Sequence, residues 1–243
     1  MTGSQDPKAR FAEALFGIYP EFLPTQALYI DLEGRNSGQQ DILSCYWPVL
    51  SGSMRFSWIR RTKSSEIDLA SVEAHLQEIG AVGAKWVVVY SAGQKLPDER
   101  NRVIELLGQD PFPDSEWINL LHVVQSCTEI RRSIREHEYA WYGRDKTRIR
   151  NSLEALEWEF GIKRPVSLRS HSYRYKDLDG GAGSMEVLST AKRSIEGTAD
   201  EEDETTLRAY CEADVKNLFE ISSASEHLVF PRHERRVRRQ LYS

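Results

Sequence analysis

An α/β domain, a mixed sheet flanked by helices, is the fold class the sequence predicts, and three observations predict it. Short runs of β-favouring residues at 27–32, 41–50 and 54–60 follow one another, separated only by Gly-containing turns at 34–38 and 51–53. That pattern is an antiparallel three-strand meander. The apolar run Trp86-Val87-Val88-Val89-Tyr90 then suits a strand buried on both faces, as parallel strands are. Beyond it, helical periodicity alternates with strand-like segments, which places helices against the sheet.

The elements follow in order. Phe11, Ala14, Leu15 and Phe16 make a short amphipathic helix; Asp6 and Glu13 interrupt the segment, so it is not read as a signal peptide. After the meander, Ile67, Leu69, Val72, Leu76 and Ile79 share one helical face. Residues 99–107 read as helix with Val103, Leu106 and Leu107 inward, stopped by Asp110-Pro111-Phe112-Pro113. Residues 117–124 are a further strand candidate. Asn151 with Glu154 three residues on is a capping-box pattern, opening a helix that Gly161 ends after Phe160. Residues 177–184, with Gly180, Gly181 and Gly183, read as a loop. The acidic run 200–204 leads into a long last helix, about 205–225. The expected organisation is a tail and short helix at 1–26, one domain at 27–225 and a basic tail at 226–243.

Composition narrows the function classes. Hydrophobic residues at 40% and aromatics at 10% of 243 residues suffice for a packed core. A net charge of −5 does not advertise a polyanion partner, although local patches of opposite sign are compatible with it. Cys45, Cys127 and Cys211 are odd in number and far apart, which argues against a disulfide scaffold and a zinc knuckle and fits a reducing cytoplasm. No apolar run reaches membrane-spanning length, so no membrane partner is expected. The glycine loop lacks the Lys-Ser/Thr of a P-loop, and no Ser or Cys pairs with a His for nucleophilic catalysis.

The chemistry lies in acidic residues. Asp31 and Glu33 are two apart on a strand, so both project from one face. Carboxylates that close repel unless protonated or bridged by a cation. Magnesium or manganese, with oxygen ligands in octahedral geometry, is the natural bridge. Asp-x-Glu is frequent by chance, and the pair alone reads first as solvated residues at a turn. The last helix adds Tyr210 and Asp214, at i and i+4 on one face amid Leu207, Cys211, Leu218 and Ile221. An inward carboxylate there needs a partner or a metal.

Tyr29-Ile30-Asp31-Leu32-Glu33, a middle element after a buried strand, and Tyr210-Cys211-Glu212-Ala213-Asp214-Val215 together resemble the DEDD exonuclease superfamily of the RNase H-like fold, in its tyrosine branch. More narrowly, the layout resembles the predicted bacterial and archaeal RNase H-like nucleases, with Cys211 standing where those have Asn. The resemblance runs from about residue 28 to about residue 221. It implies an RNase H-like mixed sheet, two divalent cations, Mg2+ or Mn2+, and phosphodiester hydrolysis, 3′ to 5′ from a single-strand end. In it Asp31 bridges both cations, and Glu33 and Asp214 complete the shell of one. The middle carboxylate, Glu99 with Asp98 as the alternative, holds the other, and Tyr210 orients the attacking water. The family's aromatic before the middle acid is absent, and the gap after Tyr90-Ser91 is lengthened. Asp98 also suits an N-cap.

Basic and aromatic residues interleave between the middle and last motifs. Arg144, Lys146, Arg148, Arg150, Arg169, Arg174 and Lys176, among Tyr139, Trp141, Tyr142, Tyr173 and Tyr175, suit phosphate contacts plus base stacking on single-stranded DNA or RNA. Solvated helix faces paired with nearby glutamates are the competing reading. Arg232, Arg235, Arg236, Arg238 and Arg239 form a second basic run. Two rivals stand beside the nuclease. One is a restriction-like Glu-x-Lys enzyme, disfavoured because Asp214-Val215-Lys216 lies on a helix. The other is a catalytically weak or inactive RNase H-like module that binds nucleic acid or a protein partner.

Overall fold

The computed structural model describes residues 6–36, 39–48, 54–60, 74, 77, 84–91, 97–142, 151–165, 168 and 187–242. Five strands form one mixed sheet: β1 (Ala27–Asn36), β2 (Gln39–Pro48), β3 (Met54–Arg60), β4 (Trp86–Val89) and β5 (Glu116–Asn119), in the order β3-β2-β1-β4-β5. The first three are an antiparallel meander; β1 pairs parallel with β4, and β4 parallel with β5. Around the sheet lie α1 (Pro7–Ile18), a 3-10 turn (Pro24–Gln26), α2 (Pro97–Leu107), α3 (Leu120–Ser126), α4 (Thr128–Tyr142), α5 (Leu153–Glu159), α6 (Val187–Glu196), α7 (Glu201–Val229) and α8 (Arg232–Tyr242). None of the described helices is long and apolar enough to cross a membrane.

Strand alternation divides the core. Tyr29, Tyr46, Trp86, Val88 and Ile118 face α1, α3, α4, α5 and α7. Leu28, Ile30, Leu43, Cys45, Val87 and Val89 face α2 with Val103, Leu106 and Leu107. A third cluster joins Ile42 to α6 and to Leu207, Tyr210 and Cys211 of α7. Each cluster contains one of the three buried free cysteines. All four residues of β4 are buried, as the uninterrupted apolar run predicts. Each large apolar side chain so buried contributes about 1.5–3 kcal/mol.

Several expectations change. The strand expected at 117–124 stops at Asn119, and Leu120 begins α3. The Asn119 side chain accepts from Leu121 N at 3.0 Å and turns the apolar run into a helix, a distinction that periodicity cannot make in so short a segment. The fifth helix is capped by Ser152 rather than Asn151, which adopts φ 54°. The acidic run belongs to α7 itself: Asp200 is its N-cap and Glu201, Glu202, Asp203 and Glu204 fill its first turn, where the helix dipole favours negative charge. The basic segment from 226 onward is helical rather than a tail. Arg238 of α8 donates to the carbonyls of Pro20 (2.7 Å) and Phe22 (3.0 Å) and stacks over the Phe230 ring at 4.0 Å. Of the helix expected at 67–79, Ala74 and Gln77 are helical and the rest lies outside the described residues, as does the glycine loop at 177–184.

Candidate metal centre

The strand pleat aims the carboxylates. Tyr29 lies on the α7 side of the sheet, so Asp31 and Glu33, two and four residues on, share that side, while Leu28, Ile30 and Leu32 pack on the other. β4 ends at Val89, and β1 pairs with it only as far as Tyr29↔Val88. Asp31 and Glu33 therefore stand beyond the carboxyl end of this parallel pair, where α/β sheets open a crevice.

α7 closes the crevice from above. Phe219 wedges between Tyr29 and Tyr46, with ring centroids 5.6 Å from each, and fixes the helix against β1 and β2. One turn and a residue earlier, Asp214 is 5% exposed. One of its carboxylate oxygens, one of Asp31 and one of Glu33 lie within 4.8 Å of one another, the one such cluster among the described residues. Opposed ligands on magnesium are about 4.2 Å apart. Small side-chain rotations therefore suffice to converge them on a cation.

Glu99, favoured in the sequence as the middle carboxylate, lies outside the cluster of Asp31, Glu33 and Asp214. Glu99 is buried in the first turn of α2, accepts from the Ser91 hydroxyl at 2.5 Å and pairs with Arg102 at 3.0 Å. Ser91 is held in turn by Asn119, whose side chain accepts from Ser91 N (3.2 Å) and donates to Ser91 O (3.3 Å). The charge of Glu99 reaches both Asp31 and Glu33. The side chain of Asp98 lies outside the described residues.

Arg164, not singled out in the sequence, adjoins this cluster. It is buried beneath α7, forms a two-pronged pair with Glu157, and donates through Nη2 to Asp214. Asn217 also donates to Glu157 (3.0 Å), and the guanidinium sits 5.1 Å from the Tyr210 ring centre. Nothing local marks Arg164 in the sequence, because its partner Asp214 is 50 residues away.

The electrostatics describe a site short of positive charge. Burial, then the charges of Asp214 and Glu99, push the Asp31 carboxyl well above its ordinary value. Burial, then Asp31 and Asp214, do the same to Glu33. Burial lifts Asp214 to about 6 even though Arg164 opposes the rise. Asp31 and Glu33 are only half-buried as residues, yet Asp31 Oδ2 is fully enclosed and has no hydrogen-bond partner among the described residues. An enclosed carboxylate oxygen with nothing to accept from costs free energy that a hard, oxygen-seeking cation removes. This donor set fits a divalent cation with Asp31, Glu33 and Asp214 as ligands.

Tyr210 lies on the same face of α7, hydrogen-bonded to Asp214, and burial raises its phenol well above 10, so it stays protonated. Cys211 is enclosed and raised by the same surroundings. Arg144, Lys146, Arg148, Arg150, Arg169, Arg174 and Lys176 lie outside the described residues. Comparison with protein-family models, curated proteins and solved structures finds no match to the chain.

Proposed function

We propose that the protein is a metal-dependent nuclease of RNase H-like fold that hydrolyses phosphodiester bonds, acting 3′ to 5′ on single-stranded DNA or RNA. The observation that carries this reading is the convergence of Asp31, Glu33 and Asp214, with one enclosed oxygen of Asp31 left without a hydrogen-bond partner. The meander followed by two parallel strands also supports it, being the arrangement implied by the resemblance to the DEDD exonucleases.

Two Mg2+ or Mn2+ ions held by Asp31, Glu33, Asp214 and Glu99 would supply the Lewis acidity that activates water and steadies the charge of an in-line displacement at phosphorus. Asp31 shares the cluster with Glu33, two residues on along β1, and with Asp214 on α7. Ser91 and Arg102 hold Glu99 at the margin. Tyr210, kept protonated by burial, donates a hydrogen bond and orients water rather than removing its proton. Arg164 restrains Asp214 and offsets part of its charge.

The test is digestion of end-labelled single strands with and without Mg2+ or Mn2+. Cation-dependent shortening from the 3′ end is expected, with a loss of at least about a hundredfold in Asp31→Asn and Asp214→Asn, the scale of removing one preorganised electrostatic group. Undiminished cleavage by the double variant would reject the site.

Arg164 also favours a second reading, a module that binds without cleaving. A cation built into the protein already engages Asp214, so a divalent ion is less needed there. Thermal melting separates the two: stabilisation by Mg2+ or Mn2+ supports the enzyme, and strand binding with no metal-dependent shift supports the module.

A further inference from the structure

Beyond the carboxylates, α7 runs on to a second feature. Its last turns, the 3-10 turn and α8 enclose an open cavity of about 640 Å³, whose walls include Thr25, His227, Arg232, Arg235, Arg236 and Arg239. Four guanidiniums thus meet around one space. Arg232, Arg236 and Arg239 recur at i, i+4 and i+7 and so share one face of α8. Arg235 is fixed by a hydrogen bond from Nη1 to the Phe230 carbonyl, 2.6 Å, at the end of α7. The opposing charge is small: buried Glu226 lies 3.6 Å from Arg239. Among the described residues, that contact is the one ion pair formed by these four arginines. Like charges at this spacing repel, so α8 is stabilised when an anion lies among them. Guanidinium forks match phosphate oxygens in shape and charge.

We propose that this cavity is a phosphate-binding subsite that holds the backbone of a nucleic-acid strand. The identity of the ligand rests on the nuclease reading above; the concentration of arginine does not. His227 and Asp214 belong to one helix, and at about 1.5 Å per residue they are about 20 Å apart along its axis. At about 3.4 Å per stacked nucleotide, roughly six nucleotides cover that distance. The cavity thus grips the strand well away from the bond that is cut.

The test measures binding of a fluorescent single-stranded 20-mer to the full chain in EDTA across a salt series. The triple variant Arg232→Gln, Arg236→Gln, Arg239→Gln is compared with the corresponding lysine triple, and circular dichroism melting checks each fold. Each neutralised phosphate contributes about 0.7 to the slope of log affinity against log salt on single strands, so the glutamine triple should lose about 2 from that slope and at least about tenfold in affinity at low salt. The lysine triple should keep the slope. Should the glutamine triple not fold, Arg236→Gln alone should lower the slope by about 0.7. Unchanged affinity and slope in the folded variants overturns the proposal, whatever the protein's hydrolytic activity. Displacement of the strand by polyglutamate of equal charge also overturns it, in favour of an acidic protein partner. If the wild type cuts nothing but the glutamine triple loses binding, the subsite stands and the nuclease reading falls.

Discussion

Asp214 is shared between Arg164 and the pair on β1, and its protonation follows from that position. An ordinary Asp carboxyl titrates at 3.8, and burial holds this one at about 6. Between those values the folded protein keeps a proton that the unfolded chain releases. Its stabilising contribution is therefore complete below about pH 4 and is lost as pH rises through about 6. Asp31 and Glu33 are raised in the same direction. In EDTA the melting temperature should fall from pH 5 to pH 8, with a shallower fall in Asp214→Asn; added Mn2+ should restore it at pH 8. A flat profile in the wild type would contradict the enclosed cluster. Arg164→Met should cost about 3–5 kcal/mol at pH 8, the penalty of stranding a buried charge, and less at pH 5 where Asp214 is protonated. Denaturant unfolding at the two pH values measures the difference.

At the scale of elements, Asn119 joins β5, α3 and the end of β4 with one side chain. Asn119→Ala removes a cap and two further hydrogen bonds at a site 1% exposed, and should cost about 2–4 kcal/mol in urea unfolding. Because Ser91 then loses its restraint, Glu99 should also hold the cation less firmly, read as a smaller Mn2+-induced rise in melting temperature. These elements also mark what the sequence discloses. The alternation of β1 and the i, i+4 pairing on α7 are local patterns, and they place Asp31, Glu33, Tyr210 and Asp214 on the faces that meet. The run Leu120 to Val124, apolar except for His122, carries no such pattern, and it is a helix capped by Asn119. Arg164 is invisible for another reason: its environment is assembled from α5, α7 and the segment after Gly161, and no spacing within any one of them reports it.

Across the molecule, α1 and α8 support each other. α1 buries Phe11, Leu15 and Phe16 against the same core that α7 covers, and α8 returns to the segment following α1 through Arg238. Arg238→Ala removes two hydrogen bonds to main-chain carbonyls and the stacking on Phe230, and should lower stability by about 1–3 kcal/mol in denaturant unfolding. The three thiols give this architecture a built-in reporter. Cys127, Cys45 and Cys211 belong one each to the three core clusters, and burial pushes the Cys45 thiol up to about 12, so folded protein presents little thiolate to an alkylating reagent. Alkylation followed by peptide mass mapping then dates the opening of each region separately, with Cys127 timing the helical layer, Cys45 the far face of the sheet and Cys211 the wall of the carboxylate crevice. A divalent ion that ties β1 to α7 should slow the Cys211 clock more than the other two.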